Sequence, residues 1–251
     1  MRILFANLGY ATGINGSLRQ HVGKAFRHAL QSKAMQNRVL EQFKAILKDN
    51  DPDLACIVEL DQGSVHSAFL NQMDALVCAL YPVSDVAGKY GPNSPLSKLP
   101  FHSGKSNGFL AKKRLLFKHL YFEHGTKRLL YQIDLQPNLT LFFAHFSLQR
   151  KVRAMQFLEM GRIVKRTAGQ IIVFGDFNTL SGLGELAPLV ADERLVLLNS
   201  PDVPTFRFHR WQTVLDLCLT SPSLAASCRL HVIDQPFSDH DALLLDIDAA
   251  F

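Results

Sequence analysis

The chain is 251 residues long, 47% hydrophobic and 20% charged, with a net charge of +5 at pH 7. That is globular usage, in a chain large enough to bury a core without metal or disulfide staples. No apolar stretch reaches the roughly 20 residues that span a bilayer, which excludes a transmembrane helix. The short apolar run at the N-terminus is too brief for a signal peptide and reads as a first strand. The basic balance suits an anionic partner, of which phosphates are the commonest. Cys56, Cys78, Cys218 and Cys228 form no CxxC pair, and each lies in an apolar stretch. They read as buried, reduced thiols of a cytoplasmic protein.

The length fits one large domain or two small ones, and residues 1–251 are taken as a single domain. A strand over 1–7 opens the chain, and a glycine-bearing loop follows over 9–16. Ser17 is a good N-cap for a helix over 18–30. A second helix over 34–48 places Val39, Leu40, Phe43, Ile46 and Leu47 on one face, and Asp51-Pro52 ends it. A buried strand over 53–59 precedes a helix over 64–80, with Val65, Phe69, Leu70, Met73, Leu76 and Val77 inward. Residues 82–107, broken by prolines and glycines, read as a long loop, either a rim over a site or a plain connection. Strands follow over 108–111, 129–135 and 139–145. A helix over 149–167 turns Val152, Met155, Leu158, Met160, Ile163 and Val164 mostly inward. Further strands cover 170–174, 195–198, 214–219, 229–233 and 242–247. Strands and helices alternate early and strands dominate late, which predicts helix-flanked sheets of mixed direction.

Polar residues recur at or inside these apolar runs: Asn7, Glu59, His145, Gly175-Asp176-Phe177-Asn178, Asp216 and Ser238-Asp239-His240. Taken singly, Asn7 and Glu59 read as turn residues and His145 as a hydrogen-bonded core histidine. Together, strand ends would carry them to one rim. Phosphoester hydrolysis needs charge neutralised on the phosphate, a water activated and aimed, and a leaving oxygen assisted. Glu59 and Asp239 offer the hard oxygens that Mg²⁺ prefers. Asp176 and Asn178, two apart in an extended turn, point to one side and can orient water. His145 and His240 can donate to phosphate or move protons. Asp216, flanked by Leu215 and Leu217, needs a partner and can orient an imidazole.

These residues resemble the endonuclease/exonuclease/phosphatase superfamily, to which deoxyribonuclease I belongs. The matching elements run in family order from Asn7 to His240. They include Ser106-Asn107-Gly108, Arg153 with Gln156, and Thr205-Phe206 before Asp216. The resemblance implies an α+β fold, a four-layer α/β/β/α sandwich of two mixed sheets flanked by helices. It also implies cleavage dependent on Mg²⁺ or Mn²⁺. Glu59 would be the principal metal ligand, with Asn7 and Asp239 close by. Asp176 and Asn178 would aim the nucleophile or hold a second metal. His240, oriented by Asp216, would be general base or phosphate donor, and His145 would serve the phosphate or the leaving group. Val58 and Val214 depart from the family's usual Gln and Arg. Two signature runs of the inositol 5-phosphatases are absent, and the segment 10–35 is longer than usual.

The leading expectation is therefore a metal-dependent phosphodiesterase or phosphatase acting on a small molecule or a nucleic acid, without a stable membrane anchor. A DNA or RNA nuclease is the alternative, with Lys89, Lys98, Lys105, Lys112, Lys113, Arg128, Arg207 and Arg210 as candidate phosphate contacts. A non-catalytic phosphate-binding module and a lipid phosphodiesterase are further from the pattern. The sequence leaves the oligomeric state open.

Overall fold

The structure is a computed structural model that describes residues 1–16 and 31–248; the helix expected over 18–30 lies outside the described residues. Its strands, in chain order, are β1 (Arg2–Asn7), β2 (Leu54–Asp61), β3 (Val83–Gly88), β4 (Lys105–Ala111), β5 (Leu116–Tyr121), β6 (Leu129–Gln136), β7 (Leu139–His145), β8 (Gln170–Asp176), β9 (Val196–Leu197), β10 (Phe206–Phe208), β11 (Trp211–Thr213), β12 (Asp216–Thr220), β13 (Cys228–Ile233) and β14 (Ala242–Ile247). The main helices are α1 (Lys33–Asn50), α2 (Gln72–Leu76) and α3 (Arg150–Arg166).

Alternation along β1 sets the layering, because successive strand side chains face opposite ways. Ile3 and Phe5 enter a core that also takes Leu141, Phe143, Ile172 and Phe174 from the other sheet. Leu4 and Ala6 face outward onto Val39, Leu40, Phe43 and Leu47 of α1. The same alternation on β7 and β8 sends Phe142, Ala144, Ile171 and Val173 onto Phe157, Met160 and Val164 of α3. The result is helix, sheet, sheet, helix: the expected four-layer α+β sandwich. The sheets run β13-β14-β1-β2-β4-β3 and β5-β6-β7-β8-β12-β9. Each is mixed, with β1 parallel to β2 and β7 parallel to β8 amid antiparallel neighbours.

Register gathers the polar positions at one rim. Asn7 pairs with Val58, one residue before Glu59. His145 pairs with Asp176, and Asp176 with Asp216. β14 runs antiparallel to β1, so Asp239 and His240, just before it, return to the Asn7 end.

Several expectations change. The helix over 64–80 shrinks to α2, because the buried Asp61 carboxylate accepts from Gly63 N, Ser64 N, Ser64 Oγ and Ser67 Oγ and ties residues 61–67 into turns. Ala68 and Phe69 then take left-handed backbone angles that no helix continues. Phe69 and Val77, expected inward, are exposed, as are Met155 and Leu158 of α3. Arg153, Gln156 and Phe157 occupy the inward face of α3 instead. The loop over 82–107 contains β3 and the start of β4, paired antiparallel to each other. β5 went unpredicted: it is an edge strand, half exposed, with Lys118 and His119 interrupting its apolar pattern. All four cysteines are free thiols, but Cys78 is exposed rather than buried.

Candidate active site

The ends of β1, β2, β7 and β8, the turn after β8 and the residues just before β14 bring side chains to one cleft of about 210 Å³, lined by Asn7, Glu59, His145, Asp176, Asn178, Asp239 and His240. Asp216 lies beneath, fully buried, against His240. The eight residues singled out from sequence thus converge.

Glu59 is aimed by a bulge. The β2–β4 register slips between Ile57 and Leu60, and Glu59 sits there with φ of 57°. Its N–H donates to the Asn107 side-chain oxygen at 3.2 Å. An extra residue in one strand redirects a side chain, a common device beside active sites. Burial by itself would raise the Glu59 carboxyl; the ammonium groups of Lys89 and Lys127, with His240, outweigh it and hold the group below the ordinary range. Lys89 Nζ is 3.8 Å from Glu59 Oε1.

Asn7 donates through Nδ2 to Asp176 Oδ2 at 3.1 Å, and its Oδ1 accepts from Gly9 N at 3.0 Å. Asp176 Oδ1 accepts from Asn178 N at 3.1 Å, and Asn178 Nδ2 donates to the Phe146 carbonyl at 3.0 Å. Asn178 has φ of 52°, a conformation that Asn tolerates better than most residues. Gly175 is required by packing: a Cβ there would stand 2.7 Å from the Ala144 carbonyl. Burial raises the proton affinity of Asp176.

His145 lies between two carboxylates, its Nε2 at 3.2 Å from Asp176 Oδ2 and its Nδ1 at 3.6 Å from Glu59 Oε1. Lys127 Nζ also contacts His145 Nε2. Burial first, then Lys127 and Lys89, push this imidazole well below its ordinary value, so it is neutral at pH 7. His240 is the opposite case. Its Nδ1 is bonded to Asp216 Oδ2 at 2.7 Å. Burial disfavours the charge, but Asp216 and Asp176 outweigh it and raise the imidazole, so the ring keeps its proton at neutral pH. Thr205 fixes the base of this pair: its Oγ1 accepts from Leu215 N at 3.0 Å and Asp216 N at 2.9 Å. Phe206 packs edge-on to His240 at 4.8 Å between ring centres.

Arg153 and Gln156 brace the walls. Arg153 donates to the Ser147 and Leu148 carbonyls, both at 2.9 Å, and pairs with Glu185. Gln156 accepts from Ser147 N at 2.9 Å and donates to the Lys127 carbonyl at 2.7 Å. One helix therefore fixes both the chain leaving His145 and the turn that carries Lys127.

The donor set fits a hard divalent cation. Glu59, Asp176 and Asp239 bring three carboxylates to one cleft beside two side-chain amides, and clustered carboxylates favour a cation among them. Asp176, Asp216 and His240 also offer ligand atoms within 4.8 Å of one another. In that trio His240 Nδ1 already bonds Asp216, which makes it a hydrogen-bonded cluster before it is a metal cage.

Lys127 is not among the residues that the sequence singles out, and Lys89, a candidate phosphate contact in the expected loop, is instead buried, donating to the Tyr10 hydroxyl. Their only signal was position near β3 and β6, which does not distinguish them from surface lysines. The other candidate cations disperse. Lys112 pairs with Asp51 at 2.7 Å beside the start of β2, far from the rim. Arg207 pairs with Asp234 and Asp241.

Fold and site together are those of a phosphoester-cleaving domain. The sequence model of the Endonuclease/Exonuclease/phosphatase family matches residues 30–240, and the chain belongs to that family. Among solved structures it is similar to the endonuclease domain of TRAS1, a telomere-specific non-LTR retrotransposon, with a TM-score of 0.60, 17% identity, and 100% and 99% of the two chains covered. It is also similar to ANGEL2, a 2',3'-cyclic phosphatase, with a TM-score of 0.62, 11% identity, and 97% and 93% covered. An endonuclease/exonuclease/phosphatase from Beutenbergia cavernae aligns with a TM-score of 0.65 and 13% identity over 100% of this chain and 72% of its own. At these identities the likeness is one of fold. No curated protein matches the sequence.

Proposed function

We propose that residues 1–251 form a single catalytic domain, a Mg²⁺- or Mn²⁺-dependent phosphoester hydrolase that cleaves a P–O bond by attack of water. The observation that carries this reading is the convergence of Glu59, Asp239, Asp176, Asn178, His145 and the His240–Asp216 pair in one cleft. Glu59 and Asp239, with Asn7 beside them, would hold the cation, which when bound supplies Lewis-acid stabilisation of charge on the phosphate oxygens. Asp176 accepts a proton from the attacking water, and Asn178, held by the Phe146 carbonyl, keeps that carboxylate in place. His240, protonated through its contact with Asp216, donates to a phosphate oxygen as negative charge develops. His145, neutral and flanked by Lys127, serves the leaving oxygen.

The free thiols support a reducing, cytoplasmic setting. A small phosphoester is favoured over a long nucleic acid, because Lys112 and Arg207 are committed to carboxylates and do not extend a basic track from the cleft. A nuclease is the second reading, since Lys98 and Arg210, unlike Lys112 and Arg207, stand in no ion pair among the described residues.

The test is hydrolysis of an aryl phosphodiester, plasmid DNA and RNA, with Mg²⁺ or Mn²⁺ and with EDTA, by the wild type and Glu59→Gln. Turnover that needs the metal and disappears in Glu59→Gln is expected. Phosphate binding without turnover on any substrate would make the protein a binding module instead.

A further inference from the structure

A second hollow of about 160 Å³ adjoins the cleft, bounded by Gly9, Tyr10, Thr12, Ile14, His66 and Lys105. It shares Glu59 and Asp239 with the cleft, so these two carboxylates form the wall between them.

The far wall is held in place at a backbone cost. Gly9, Tyr10 and Ala11 take left-handed angles in succession, with φ of 51°, 55° and 55°. For the two that are not glycine this is a strained conformation, which persists only where the surroundings enforce it. Gln72, fully buried, donates to the Tyr10 carbonyl at 2.8 Å and to Gln36 Oε1 at 2.9 Å. Its own oxygen accepts from Asp61 N at 3.0 Å. Lys89 donates to the Tyr10 hydroxyl. The ammonium groups of Lys89 and Lys105 stand 4.8 and 4.9 Å from the centre of the Tyr10 ring. A strained turn thus presents an aromatic ring that gathers two cations beside the hollow.

The two cations differ in commitment. Lys89 is buried against Glu59. Lys105 is partly exposed, and among the described residues no carboxylate forms an ion pair with it; residues 17–30 contain no Asp or Glu. The hollow therefore offers an ammonium group that stands in no ion pair and acts on Glu59 only through space, with the Thr12 hydroxyl and the His66 imidazole in the same lining.

We propose that this hollow is a second anion subsite, in which Lys105 and the Tyr10–Thr12 turn receive a further phosphate carried by the substrate beside its scissile phosphoester. The proposal rests on the phosphoester reading of the neighbouring cleft and narrows its substrate class to molecules with two phosphates. The two negative charges straddle the Glu59–Asp239 wall, one on the histidine side and one on the lysine side. A second phosphate on a small molecule and the next phosphate of a nucleic acid strand share this chemistry.

Titration calorimetry, in magnesium and again in EDTA, tests it with adenosine 3',5'-bisphosphate, the corresponding 5'- and 3'-monophosphates, and a 5'-phosphorylated thymidine dinucleotide. The bisphosphate is expected to bind wild-type protein about tenfold more tightly than either monophosphate, the weight of one charge-assisted hydrogen bond. Lys105→Gln should abolish that advantage and change monophosphate binding by less than about twofold. If the dinucleotide shares the Lys105-dependent advantage, the second phosphate is that of a strand; if the bisphosphate alone shows it, the substrate is a small molecule. Equal binding of bisphosphate and monophosphates by the wild type, or equal loss of both in Lys105→Gln, overturns the subsite. Hydrolysis of an aryl phosphodiester is measured beside it. Hydrolysis without bisphosphate preference removes only the subsite. A Lys105-dependent preference without hydrolysis removes only the catalytic reading.

Discussion

Replacing Asp61 by Asn probes the joint between the β2 bulge and the turns that follow it. The Asp61 carboxylate is fully buried and accepts from Gly63 N at 2.9 Å, Ser64 N at 2.7 Å, Ser64 Oγ at 2.5 Å and Ser67 Oγ at 3.0 Å. Burial raises its proton affinity, but His66, at 3.8 Å, and the bonds from Ser64 and Gly63 outweigh it and bring the group down to about 2. Set against an ordinary aspartate, that depression is worth about 2 kcal/mol of stability at neutral pH. Asn removes the charge and points an amide N–H₂ at groups that are already donors, so Asp61→Asn should cost about 2–3 kcal/mol. In a chain of this size the melting temperature falls by roughly 5–10 °C. The sign of the pH effect follows from the depressed value. The contribution is complete above the unfolded aspartate range and is lost as pH falls toward 2. Melts of wild type and variant should differ by a constant amount from pH 7 down to about 4 and converge below that. A variant as stable as wild type at pH 7, or a gap that widens toward pH 3, would refute the assignment of Asp61 as the anchor of these turns.

Other changes address the cleft itself. Asp216→Asn and His240→Ala should each lower turnover of an aryl phosphodiester by about 10²–10⁴; circular-dichroism melts alongside decide the cause, since an unstable but active variant would return the pair to a packing role. Millimolar Mg²⁺ or Mn²⁺ should raise the melting temperature of the wild type, because ligand binding to the native state stabilises it, and Glu59→Gln should abolish that rise; an equal rise in both proteins would remove Glu59 from the metal site. Gly175→Ala puts a Cβ 2.7 Å from the backbone carbonyl of Ala144, an atom held in the β7–β8 pairing, and should cost about 2–3 kcal/mol in urea unfolding; an unchanged midpoint would mean that the two strands separate more easily than their register indicates.

What was legible in the sequence follows a physical rule. β1, β7, β8 and β14 are buried on both faces, so they read as continuous apolar runs, and such runs are hard to mistake. The misread segments are those whose shape depends on partners distant in the chain. Residues 64–80 have a helical spacing of apolar side chains, yet one carboxylate at position 61 turns the backbone away from a helix. β3 and β5 are edge strands, half exposed, whose pattern is broken by Asp85, Lys118 and His119. Their polar residues meet between the sheets: His119 Nε2 lies 2.7 Å from Asp85 Oδ2, which also accepts from the Tyr131 hydroxyl at 2.7 Å. No local pattern announces a contact of that kind.

The same rule separates the two sets of groups at the rim. Glu59 lies two residues before the end of β2, His145 and Asp176 end β7 and β8, and Asp239 lies three residues before β14, so all four are placed by strands whose register is set by the core. Their approach to one another is a consequence of β-pairing, and their sequence positions carry it. Lys89, Lys105 and Lys127 come from turns and from a strand start at the rim, where nothing in the neighbouring residues distinguishes a cation turned inward from one in water. For Lys89 and Lys127 the inward placement is nevertheless built: the Lys89 carbonyl accepts from Arg128 N at 2.8 Å, and the Lys127 carbonyl is held by Gln156. The acidic half of the rim is thus a property of the sheets and the cationic half a property of the connections. Proteins with these sheets and different connections would keep the reaction and change the substrate, which is why the lysines, rather than the carboxylates, are where substrate choice in this chain is to be sought.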